Sequence, residues 1–203
     1  MYRLLLFKLK GNFYFLVLIE SYCKYFYNLY NNLKTLYSIS AIEKILNSSG
    51  SRPVIVLCND FNYYACKYGK INDLLNEYLG ASFCQLWGIK IPDFYFVNVK
   101  PDHVPFGLSK KSFETTCYGC FYLEYAKDVN EYLTTWKTNS YELNKITQKE
   151  DLLKIGLFDL WLSNEDRNHN NANLLINPYE KGYNIVAIDH VNIFNSSTLK
   201  YGL

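Results

Sequence analysis

Between two apolar runs, Asp159-Leu-Trp-Leu162 and Leu174-Leu-Ile176, the chain places Ser163-Asn164-Glu165-Asp166-Arg167-Asn168-His169-Asn170-Asn171-Ala172-Asn173. The first run has the character of a buried helix and the second of a strand, so the polar stretch must be a loop gripped between two packed elements. Polar side chains concentrated there are costly unless they are paired or used. A second carboxylate, Asp189, ends a further apolar strand in Ile188-Asp189-His190. An Asp, an Asn five residues later and an Asp closing a later strand are the parts that phosphoryl transfer needs. One carboxylate orients a hydroxyl; the amide and the second carboxylate offer hard oxygens to magnesium on nucleotide phosphates.

At 203 residues the chain suits one domain, or one two-lobed unit, with a sizeable core. A net charge of +2 without clustered Lys or Arg gives no nucleic-acid surface, so none is expected. Aromatic residues reach 18%, but runs such as Tyr27-Asn-Leu-Tyr-Asn-Asn32 read as compositional bias rather than a binding code. The six cysteines are irregularly spaced and several sit in apolar runs, where Cys packs as a small hydrophobe. Cys117-Tyr-Gly-Cys120 is the one C-x-x-C; a zinc site would need a second pair, so packing is the expected role. The apolar run Phe13 to Ile19 is short, is closed by Glu20 and lacks a small-residue cleavage site. It is also too short to span a bilayer, and a cytoplasmic protein with no membrane contact is expected.

Along the chain, residues 1–40 form an aromatic-rich leader whose pattern does not resolve between helix and strand. Ser40 with Glu43 predicts a capped helix from Ala41 to Leu46. Ser48 to Pro53 is a turn, Val54 to Cys58 a strand, Asn59 to Asn62 a hairpin turn and Tyr63 to Tyr68 the returning strand. From Ile71, apolar residues recur at three- and four-residue steps to Trp87, a helix stopped by Gly88. Phe94 to Val99 and Tyr118 to Leu123 are further strands. A helix from Asp151 to Leu162 leads into the polar loop, then strands at Asn173 to Ile176 and Tyr183 to Ile188 flank a turn at Pro178 to Gly182. This order predicts an α+β fold of two lobes with the polar residues between them.

Upstream candidates fit the same chemistry. Gly50 and Ser51, in Gly-Ser-Arg-Pro53, precede a strand and can offer backbone N–H groups and a hydroxyl to phosphate oxygens. Lys67 ends a strand among apolar neighbours and needs a phosphate or an acid as partner; Glu77, on the next helix, is that acid if the helix packs on the hairpin. Taken singly, Lys67 also reads as an edge-strand charge and Glu77 as a solvated helix residue. Asp166, Asn171 and Asp189 are read together as the functional set. Arg167 is expected to brace the loop, and Asn168, His169 and Asn170 to reflect the abundance of Asn.

The run Asp159-x-Trp-x-x-Asn164-x-Asp166-Arg167-x-x-x-Asn171-x-Asn173-Leu-Leu, followed by Ile188-Asp-His190, resembles the HipA-like kinase domain. That family is related to the bacterial HipA toxin kinase and, more distantly, to protein and phosphoinositide kinases. Gly50-Ser-Arg-Pro-Val-Ile-Val56, Tyr64-x-x-Lys67, Asn76-Glu77 and Leu86-x-Gly-Ile-x-Ile-Pro92 fall in the family's order, so the resemblance covers roughly residues 41–195. It implies a two-lobed, protein-kinase-like fold over 41–203, the N-lobe to about 125 and the C-lobe from about 126. It implies ATP and Mg2+ as cofactors, Lys67 on the nucleotide phosphates with Glu77 as its partner, Asp166 as catalytic aspartate, and Asn171 and Asp189 as metal ligands. Tyr122 to Glu124 would then lie at the adenine edge. The implied function is transfer of the γ-phosphoryl group to a hydroxyl of a protein Ser or Thr, or of a small molecule. The alternative is a nucleotide-binding or interaction module impaired in catalysis. Two departures stand out: Val191 replaces the glycine common after Asp-His, and the chain stops fourteen residues after Asp189, where a truncated second lobe is expected.

Overall fold

The computed structural model describes residues 34–46, 52–136, 144–164, 166–168 and 170–194, all within one compact unit, Lys34–Leu203. Its first layer is a six-stranded sheet of β1 (Thr35–Tyr37), β2 (Lys44–Ile45), β3 (Val54–Leu57), β4 (Tyr63–Lys67), β5 (Phe94–Asn98) and β6 (Cys117–Phe121), in the order β1-β5-β6-β4-β3-β2. β1 runs parallel to β5 and every other pair is antiparallel. Alternation of side chains along β3 and β4 explains why they pair: Val54, Val56, Tyr64 and Cys66 share a face with Val97 and Cys117 and close a core with Leu36, Val104 and Phe113. The opposite face carries Ala65 and Lys67, across from Cys120 and Tyr118.

Helix α1 (Ile71–Leu86) lies against that second face, with the Tyr78 ring stacked on Phe96 and edge-on to Phe94. It ends where the sequence predicts. Gly88 takes a φ of +63°, its N–H bonds Gln85 O, and the Ile89 N–H reaches Cys84 O at 2.9 Å, the paired bonds of a Schellman cap.

The second layer holds β7 (Lys127–Asp128), α2 (Val129–Trp136), α3 (Glu150–Leu162), β8 (Leu174–Tyr179) and β9 (Gly182–Ala187), with the strands in the order β7-β8-β9. Ile155, Phe158 and Leu162, three to four residues apart on α3, pack on Leu174, Ile176, Ile185 and Ala187 of the β8–β9 hairpin. Cys84 and Ile89, from the end of α1, join the same core. Among the described residues no helix is long and apolar enough to cross a membrane.

One local expectation is overturned. No helix forms over 41–46 and Ser40 caps nothing; Lys44 and Ile45 pair with Ile55 and Val54, Glu43 N–H bonds Ile55 O at 3.0 Å and Ile42 N–H bonds His103 O at 2.8 Å. A six-residue helix is too short to repay its nucleation, and a ready sheet edge supplies hydrogen bonds at once. Lys67 is likewise no edge-strand charge, because β4 lies inside the sheet between β3 and β6.

Two glycines in helices have opposite surroundings. A Cβ on Gly80 of α1 would sit 2.3 Å from His190 Cβ, whereas one on Gly156 of α3 would meet nothing within 4 Å. Gly156→Ala should therefore stabilise the fold by up to about 1 kcal/mol, the ordinary helix-propensity gain. Gly80→Ala should destabilise it by about 1–3 kcal/mol, since overpacking outweighs propensity. Urea titration of both variants checks the contrast; a stabilised Gly80→Ala would sink the close-packing argument.

Candidate active site

Three charged side chains from separate elements meet at the centre. Lys67 Nζ, on β4, contacts Glu77 Oε1 of α1 and lies 2.9 Å from Asp189 Oδ1 in the turn after β9. Glu77 is 1% exposed, and its other oxygen accepts the His190 N–H at 3.0 Å. Burial alone would push Lys67 down, but Glu77 and Asp189 more than offset it and hold the ammonium above its ordinary range. Burial pushes the Glu77 carboxyl up to about 7 against the pull of Lys67, with Asp189 adding to the rise. For Asp189 burial also acts upward, but the Lys67 ammonium prevails and keeps the carboxyl below its usual range. Asp189 is thus the carboxylate of the pair that stays ionised, and it adopts a left-handed φ of 58° at the end of its strand.

The turn 189–191 is clamped to α1. Asn76 Nδ2 donates to Val191 O at 2.8 Å, so Val191 is held through its backbone. His190 packs against Gly80 with Nε2 3.3 Å from Cys84 Sγ. Its burial, with Arg167 and Lys67 nearby, pushes the imidazole down to about 3, so it is neutral at ordinary pH.

The polar loop is built by a second buried ion pair. α3 ends at Ser163 in a left-handed φ of 52°, and the Asn164 N–H returns to Asp159 O at 2.8 Å. Asp159 then accepts from Asn164 Nδ2 at 2.9 Å and faces Arg167 Nε at 2.8 Å. Arg167 Nη1 donates to Ala172 O at 3.1 Å and to Asn173 O, so this guanidinium braces the loop as expected. Asn168 Oδ1 accepts the backbone N–H groups of Asn170 and Asn171 at 2.9 and 3.2 Å. It shapes the loop and is more than compositional. Asp166 Oδ2 accepts from Asn173 Nδ2 at 3.0 Å.

The structure therefore brings Lys67, Glu77 and Asp189 into direct contact and sets Asp166 and half-buried Asn171 in one braced loop. Gly50 and Ser51 lie outside the described residues. Glu124 lies in the linker between β6 and β7 and lines a cavity of about 620 Å3 with Ile55, Tyr63, Tyr122, Tyr125 and Asn177. Tyr63, which lines it, precedes Lys67 by four residues on the same strand face, which sets their Cα atoms about 13 Å apart. Cys117 and Cys120 point to opposite faces of β6 and do not converge; burial pushes both thiols up to about 12, which leaves them protonated. Among the described residues no group of three His, Cys, Asp or Glu side chains is arranged to hold a metal by itself. Asn171 in the loop and Asp189 in the ion cluster each carry a hard oxygen of the kind that magnesium takes, alongside phosphate oxygens and water.

Asp159, Asn164, Asn173 and Asn76 belong to the pattern that carries the resemblance, but the sequence assigns them no role. Asn164 and Asn173 lie inside the polar run and Asp159 just before it, but a bracing role has no spacing rule, since it depends on where the loop folds back.

The crystal structure of the Helicobacter pylori proinflammatory kinase CtkA is similar in fold, with a TM-score of 0.52 and 17% identity. The likeness covers 79% of this chain and 60% of that one, so the chain spans about 60% of the length of that kinase. No curated protein matches the chain. The sequence pattern of the HipA-like kinase matches residues 39–200, from the approach to β2 to beyond the Asp189 turn. With four fifths of its length inside that match, the chain belongs to the HipA-like kinase family.

Proposed function

We propose that the chain is an ATP-dependent phosphotransferase that moves the γ-phosphoryl group of ATP to a hydroxyl, in the first instance of a protein Ser or Thr. The observation that carries this reading is the Lys67–Glu77–Asp189 cluster. It holds one ammonium and one ionised, quarter-exposed carboxylate side by side, as phosphate and its metal ion require. Lys67 binds the nucleotide phosphates, with Glu77 fixing its ammonium. Asn171 and Asp189 hold magnesium, which neutralises charge on the phosphates when bound. The base lies in the cavity by the linker, near Tyr122 and Glu124, with Gly50 and Ser51 contributing to the phosphate cradle.

Asp166 accepts the proton of the acceptor hydroxyl. The acceptor oxygen forms a bond to Pγ as the bond from Pγ to the β,γ-bridging oxygen breaks, and ADP leaves. In this reading the N-lobe reaches about residue 125 and the C-lobe follows from about 126.

Asp166→Ala should lower transfer of labelled γ-phosphate by about 100-fold or more. Mg-ATP should still raise the melting temperature of that variant, as it does for the wild type. A wild type that gains stability from Mg-ATP but moves no label would instead favour a nucleotide-binding module without transfer. Retained transfer in Asp166→Ala would remove Asp166 from the mechanism. Lys67→Met should abolish the Mg-ATP-induced rise in melting temperature, and EDTA should shrink it in the wild type by stripping the metal from the phosphates.

A further inference from the structure

We infer that Asn173 is a positioning residue for Asp166, an inference that rests on Asp166 receiving the acceptor's proton. Asn173 is buried, and its Nδ2 donates to Asp166 Oδ2 at 3.0 Å. This bond occupies one carboxylate oxygen and leaves Asp166 Oδ1 to face an acceptor hydroxyl. Held at one oxygen, the carboxylate keeps its plane, whereas an unheld one could rotate about its Cβ–Cγ bond and present the acceptor with a different direction of approach.

The main chain at Asn173 has little freedom of its own. Its carbonyl accepts from Arg167 Nη1 and from the Ile188 N–H at 3.0 Å, so its backbone is fixed from two sides. Arg167 is in turn held by Asp159 of α3. The Ile188 bond belongs to the residue immediately before Asp189. One residue thus sits between the loop of Asp166 and the turn of Asp189, and touches both through different atoms.

The residue type follows from the geometry. Asn173 has a φ of 49°, a left-handed conformation that Asn, Asp and Gly adopt most readily. Asp has the same shape but no donor, and at this distance it would set a second carboxylate against Asp166. Gly tolerates the backbone but reaches nothing. Only Asn satisfies the backbone and supplies a short donor.

The same reasoning defines the test. Asn173→Gly suits the left-handed backbone and so keeps the fold while deleting the donor. Asn173→Asp keeps the shape and reverses the polarity. ADP formation from Mg-ATP, with water standing in for the hydroxyl acceptor, is followed for the full chain together with its melting temperature. In both variants kcat should fall by about 100-fold, the effect of misplacing a reacting group, while KM for ATP is unchanged and Asn173→Gly melts near the wild type. Unchanged kcat in Asn173→Gly, or a loss that merely tracks the unfolded fraction, would overturn the inference.

If the wild type forms no ADP, the kinase reading fails while the positioning contact is still decided, by NMR. The side-chain amide resonances of Asn173 should then move on Asp166→Ala, and unmoved resonances would falsify the contact.

Discussion

A half-buried ammonium between two acidic side chains holds this fold's working parts in register. Lys67 belongs to the sheet, Glu77 to α1 and Asp189 to the turn after β9, so one charged cluster ties the consecutive elements β4 and α1 to a turn far along the chain. Removing one partner from such a cluster leaves a charge without compensation, which typically costs about 3–5 kcal/mol. The rest of the interface makes the cluster possible. Gly80 lets His190 approach the helix, Asn76 fixes Val191 O, and the His190 N–H saturates Glu77's second oxygen. These contacts deny α1 other positions on the sheet, and with them other partners for Lys67.

The polar loop uses a second ion pair for a different purpose. Lys67 serves as a compact point charge between two acids, whereas Arg167 spreads its planar fork over the Asp159 carboxylate and two backbone carbonyls. The first arrangement leaves Asp189 partly exposed and ionised at the cleft. The second is structural throughout, and it turns a left-handed helix exit at Ser163 into a loop that returns Asp166 to the edge of the hairpin. Both loop carboxylates in the proposed chemistry are therefore placed by buried charge rather than by the helices and strands alone.

Much of this was legible along the chain, and the reasons differ by element. β4 and α1 announce themselves because each buries one face and so repeats its apolar residues at the period of its own geometry, and β3 because it is buried on both faces and reads as a continuous apolar run. The stop at Gly88 follows from the one residue type that takes a left-handed backbone without strain. β1 and β2, at three and two residues, are too short to show any period and exist because neighbouring strands offer open edges. The capping signature at Ser40 and Glu43 was locally sound but lost to that edge.

The sequence by itself determined which residue types were available for the chemistry: Lys67, Glu77, Asp166, Asn171 and Asp189 in kinase order, together with the α+β alternation of elements. That much is written in local pattern, since each residue's type and spacing is a property of the chain. Only the tertiary structure decided which of them touch. Lys67 became a central-strand charge and Glu77 a buried acid once α1 packed on the sheet, and Asn173 found Asp166 once Arg167 folded the loop. Burial and pairing arise between segments far apart in the chain, and a charge acquires its partner only when water has been excluded from both.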